Sequence, residues 1–139
     1  MVDPDLLRRK LAELGTLLAQ ISEFKDTTVE AYRSDWRTQR IVERTLQMAI
    51  ESCLDIANHV VADNKLRIPS TYAETFDVLT EAGLLNPSMQ LSMRRMVGFR
   101  NIVVHEYARV DADHVVRILH EHLGDLAAFE ATAWGWIKD

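Results

Sequence analysis

Apolar side chains return every three or four residues along nearly the whole of this 139-residue chain, and little interrupts them. Leu6, Leu7, Leu11, Leu14, Leu17, Leu18 and Ile21 share one face of a first helix, which Asp3 and Pro4 open as N-cap and first helical position. A long helix follows from about Trp36 to about Asn64, about 43 Å at 1.5 Å per residue. Its apolar face is Val42, Leu46, Ala49, Cys53, Ile56, Ala57 and Val60. Between the two, Lys25 to Thr28 is a polar break, with Thr27 or Thr28 as the cap of a short helical turn. Pro69 ends the pattern, and Thr71 with Glu74 forms a capping box for a helix ending near Gly83. Asn86-Pro87 opens the next helix, and the last runs from Asp111 or Asp113 to about Trp136. Nothing alternates with period two, and five Gly and three Pro leave little room for hairpins. The chain reads as all-α, a single domain over residues 1–139 built as an antiparallel bundle of about four to five helices.

A chain of this size buries roughly 68% of its unfolded surface. No apolar run approaches the roughly 18 residues of a membrane helix. The acidic start Met1-Val2-Asp3-Pro4-Asp5 lacks the basic-then-apolar order of a signal peptide. Cys53 is the single cysteine, so no internal disulfide can form, and a cytoplasmic location is expected. A net charge of −5 argues against a general nucleic-acid binder. That average hides an asymmetry. From Ala82 to Val110 the charges are Arg94, Arg95, Arg100 and Arg109 against Glu106 alone. A local basic patch of this kind can meet phosphate, although a mixed helix surface is the plainer reading.

The stretch "GFRNIVVHEY", residues 98–107, sits in that window. At 100° per residue, Met89, Met93, Met96, Val97, Val103 and Val104 lie within about 60° of Arg100, and Tyr107 within about 20°. Arg100 therefore stands in the middle of an apolar stripe, and an unpaired buried charge is costly. Either the helix ends or bends between Gly98 and Tyr107, or the stripe faces another chain. Asn101 and His105 point together to a different side, with Arg94 near them.

Arg100-Asn101, then His105, then Tyr107 resembles the R-x4-H-x-Y signature of HepT-type HEPN ribonucleases, the toxin halves of toxin–antitoxin pairs. "LSMRRMVGFRN" is similar to the helix leading into that signature, and "ESCLDIANHV" to the second-helix segment of the family. The resemblance extends from about Arg40 to the C-terminus. It implies a HEPN-like bundle paired as a twofold homodimer. The implied activity is cleavage of single-stranded RNA, messenger or transfer, without metal or other cofactor. The ribose 2′-OH attacks its own phosphate and leaves a 2′,3′-cyclic phosphate. Such chemistry needs a proton-transfer group active near neutrality, which histidine supplies, and a fixed cation for charge on phosphorus, which an arginine fork supplies.

On that resemblance Arg100, His105 and Asn101 are the candidate catalytic residues. Arg100 binds phosphate, His105 moves protons, and Asn101 orients His105 or the substrate. The plainer alternatives are a salt bridge from Arg100 to an acid on the long helix, a core histidine, and a local cap. Tyr107 corresponds to the position that a cognate MNT-type nucleotidyltransferase antitoxin modifies with AMP, which would place bulk and negative charge beside Arg100. Its alternative is a packed tyrosine. Glu51 and Asp55 lie with Arg44, Gln47 and Asn58 on a polar stripe, foremost a solvated face, with Glu51, Asp55 and Arg94 as supporting candidates. His114, His120 and His122 do not converge at helical spacing, so no metal site is expected. Trp134 and Trp136 are expected to seal the bundle end or a subunit contact. A second functional reading is a non-catalytic helical partner of a nucleotidyltransferase that only binds nucleotide.

Overall fold

The computed structural model describes residues 3–137; Met1 and Val2, part of the leader reading, lie outside them, as do the last two residues. The element order is α1 (Pro4–Ser22), α2 (Val29–Ser34), α3 (Trp36–Asp63), α4 (Tyr72–Glu81), α5 (Pro87–His105), a 3-10 turn (Tyr107–Arg109), α6 (Ala112–Arg117), a π-helical segment (Ile118–His122) and α7 (Leu123–Trp134). No strand occurs among the described residues. Among the described residues no helix is long and apolar enough to cross a membrane.

The caps explain these boundaries. Asp3, Thr28, Thr71, Asn86 and Asp111 each accept a backbone N–H of the first turn they open. Asp35 does the same for α3 and accepts from the Thr38 hydroxyl as well. The Thr71 box departs from the reciprocal form: Glu74 reaches back to the amide and hydroxyl of Ser70, one residue further out. Gly83, at φ +76°, ends α4 in the left-handed cap that its missing Cβ permits, with Leu84 N–H on the Leu79 carbonyl at 2.9 Å.

Ion pairs and hydrogen bonds give the directions of the helices. Lys10, early in α1, pairs with Asp55, late in α3, so these two run antiparallel. Arg100, within α5, reaches Glu51 while Tyr107, just past its end, reaches the earlier Glu43, so α5 runs antiparallel to α3. α3 is the central rod, packed on α1, α4, α5 and α7. All seven residues of its expected apolar face are buried, and Ile50, Leu54 and Val61 widen the stripe. Phe129 meets Phe76 and Trp136 edge to face, at centroid separations of 5.8 and 5.6 Å. Trp136 also donates to the Leu84 carbonyl and closes that end of the bundle, whereas Trp134 is largely exposed.

The expected last helix is one rod interrupted by the π-helical turn at Ile118–His122. Periodicity of three and four cannot register that extra residue. His114 packs edge-on against Phe99, His120 binds the Thr27 carbonyl, and His122 faces Asp125, so the three imidazoles serve three separate contacts.

Hydrogen bonds from Ser70, and then from Arg67, hold the Glu74 carboxyl down to about 2 from its ordinary 4.5. A depressed carboxyl stabilises the fold above about pH 4.5 and loses that contribution as pH falls towards 2. Urea midpoints measured across this window should fall, and Glu74→Gln should flatten the fall.

Candidate active site

Arg100 occupies the seam between α5 and α3. Its side chain is only 12% exposed, and the seam is not apolar where the guanidinium lies. Nε and Nη2 both donate to Glu51 Oε2, at 3.0 and 2.8 Å, and Nη1 donates to Asn101 Oδ1 at 3.1 Å. The guanidinium also stacks over the Tyr72 ring, 5.2 Å from its centroid. The paradox in the sequence is resolved within one chain, because an acid on the long helix meets the arginine and α5 stops five residues later, at His105. The same ending leaves Val104 exposed despite its place on the apolar stripe.

His105 is the last residue of α5. It is exposed, and so is not a core histidine. His105, Glu106 and Asn101 line a groove of about 590 Å³ together with Pro69, Ser70, Thr71 and Tyr72. Arg100 opens into a smaller depression of about 240 Å³ with Glu51 and Asp55. Asn58 and Tyr72 line both spaces, so these are adjoining parts of one surface. Asn101 joins them physically: its carbonyl holds Arg100 while its side chain borders the groove of His105. It is neither a cap nor a hydrogen-bond partner of His105.

The supporting candidates separate. Glu51 is the carboxylate that fixes Arg100. Asp55 borders the depression, but its carboxylate pairs with Lys10 and lies 3.5 Å from His59. Arg94 leaves the site altogether and pairs with Asp77 on α4 at 2.5 Å. With Arg109 on Glu106 as well, the basic patch inferred from sequence is largely a set of ion pairs.

Tyr107 belongs to a second station. Its hydroxyl donates to Glu43 Oε1 at 2.6 Å and accepts from Arg40, whose guanidinium lies 5.4 Å from the ring centroid. The cation on the hydroxyl is thus Arg40, not Arg100. Glu43 is buried, and its Oε2 accepts from the buried Tyr32 hydroxyl. Glu43 and Glu51 are eight residues apart on α3, so the two stations lie about 12 Å apart along its axis. Burial first, then the Glu43 carboxylate, raises the Tyr107 hydroxyl above its ordinary 10.0.

Sequence reasoning passed over Tyr72, Tyr32, Arg40 and Glu43. For Glu43 a signal was present: it is in phase with Leu46, Ile50 and Leu54, and a carboxylate on a buried face requires partners. Nothing local marks Tyr72, which reaches Arg100 only through the packing of α4.

The fold is that of a HEPN domain. A solved structure of the Shewanella oneidensis HEPN toxin, tri-AMPylated and in complex with an MNT antitoxin, matches with TM-score 0.84 at 30% identity, covering 92% of this chain and 96% of that one. Residues 14–132 match the Ribonuclease HepT-like family, and the chain belongs to that family. It is 30% identical to the mRNA nuclease HepT of Shewanella oneidensis, over 90% of this chain and 93% of that protein. It is 28% identical to the tRNA nuclease HepT of Aphanizomenon flos-aquae, over 82% and 78%.

Glu51→Ala leaves a nearly buried guanidinium without its carboxylate. It should lower stability in urea by about 1–3 kcal/mol. Asp55→Ala, which breaks a more exposed pair, should lower it by less than about 1 kcal/mol.

Proposed function

We propose that this chain is the toxin of a toxin–antitoxin pair, a single-domain cytoplasmic endoribonuclease that cleaves single-stranded RNA without a metal ion. The observation that carries the reading is the joined surface at the end of α5. There Arg100 is held rigid by Glu51 and Asn101 beside a groove that carries an exposed His105.

A guanidinium held by one carboxylate oxygen is pre-oriented, and rearrangement during the reaction is small. The phosphate of a bound strand approaches Arg100, and Tyr72 offers a ring at the junction of the two spaces. The 2′-oxygen attacks phosphorus as its proton leaves to an imidazole. The 5′-oxygen departs with a proton from a second imidazole, leaving a cyclic phosphate. One His105 does not serve both roles at once. A twofold homodimer with its two grooves facing supplies the other. Ile41 and Met48, exposed on one face of α3 two turns apart, offer apolar surface for pairing.

Tyr107 is the proposed acceptor of AMP from a cognate MNT-type nucleotidyltransferase. The tri-AMPylated state of the Shewanella toxin in its antitoxin complex supports this, together with the tyrosine's position two residues past His105. The alternative, a partner subunit that only binds nucleotide, does not require an exposed imidazole beside a fixed guanidinium.

His105→Ala should reduce RNA cleavage by about 10²–10⁴-fold with the helical circular dichroism intact. Arg100→Ala should also abolish growth arrest on expression without the partner. Cleavage with cyclic-phosphate ends should persist in EDTA, and equal toxicity of the His105 variant would refute the chemistry. After co-expression with the nucleotidyltransferase, intact mass should show added adenylate that Tyr107→Phe lacks.

A further inference from the structure

The Tyr107 station contains more than an acceptor hydroxyl. Its groups stand in the relation of an activated nucleophile to its base, with a third group orienting the base. Tyr107 Oη donates to Glu43 Oε1 at 2.6 Å. Arg40 donates to the same Oη, where it would stabilise a phenolate. Tyr32 donates to the other carboxylate oxygen and fixes its plane. Glu43 and Tyr32 are buried behind the hydroxyl, while the Tyr107 residue is 45% exposed. The base is thus buried, while the tyrosine that carries the nucleophilic oxygen is reachable from solvent. The phenol is moreover held neutral near physiological pH, so the hydroxyl is a weak nucleophile without a base.

We infer that Glu43 is the general base for adenylyl transfer onto Tyr107, with Arg40 stabilising the phenolate and Tyr32 positioning the carboxylate, so that the toxin contributes catalytic groups to its own silencing. The inference rests on Tyr107 being the acceptor. In the step, the Oη–H bond breaks and its proton passes to Glu43 Oε1. An Oη–P bond forms at the α-phosphorus of ATP, and the bond from that phosphorus to the bridging oxygen breaks. Pyrophosphate leaves with the electron pair, and nothing is oxidised or reduced.

The purified chain, mixed with its cognate nucleotidyltransferase and labelled ATP, gives the test. Glu43→Gln retains the shape and can still hydrogen-bond Tyr107 and Tyr32, so a purely structural role survives it while a base does not. Single-turnover labelling of Tyr107 should fall by about 10²–10⁴-fold in this variant. RNA cleavage by the unlabelled variant should stay within about twofold of wild type. Labelling at the wild-type rate would overturn the assignment of Glu43 and leave Tyr107 as acceptor. A wild-type chain that takes no label on Tyr107 would overturn the acceptor reading and this inference with it. If Glu43→Gln does not fold, Tyr32→Phe, which frees the carboxylate plane, should slow labelling by about tenfold, and an unchanged rate would overturn the proposal.

Discussion

A guanidinium placed on the face by which one helix packs against another must find a counter-charge, or the helices separate. The Arg100–Glu51 pair meets that requirement, and much of the surrounding arrangement is tied to it. It agrees with the rotation at which α5 buries Met93, Met96, Val97, Phe99 and Val103. With that rotation set, Asn101 and His105 turn towards the start of α4, and the groove forms between them and Pro69–Tyr72. The pair contributes modestly as net stability, because desolvating two ions opposes their attraction.

Two stations are read off the same rod. Glu51 holds Arg100, and two turns earlier Glu43 holds Tyr107. Because α3 spans the bundle without interruption, the spacing between the proposed nuclease groups and the proposed modification site is set by helix rise. A substituent on Tyr107 begins about 12 Å along the axis from Arg100, so its bulk and charge must extend along the surface to reach that guanidinium.

Most of the architecture was legible in the sequence, for a local reason. Caps such as Asp3-Pro4, Thr71 and Asn86-Pro87 act within four residues, and the apolar repeat of α3 needs no knowledge of its neighbours. The candidate site was legible where its members share a helix, as Arg100, Asn101 and His105 do. It was obscure where partners come from different helices. A projection at 100° per residue places Glu51 and Asp55 on one stripe but carries nothing on which acid α5 will meet and which Lys10 will take. Arg94 likewise projects beside His105 yet is drawn off by Asp77, because α4 packs along that side. The π-helical segment escaped for the opposite reason: it alters the period on which the reading depends.

Cys53, the chain's only sulfhydryl, lies at the middle of α3 with no exposed surface, and burial pushes its ionisation far upward. The native bundle therefore presents no reactive thiol to alkylating reagents. A second cysteine placed at any exposed position becomes a unique attachment point for a fluorophore or spin label. The slow reaction of Cys53 itself becomes a clock for how often the centre of the molecule opens to solvent.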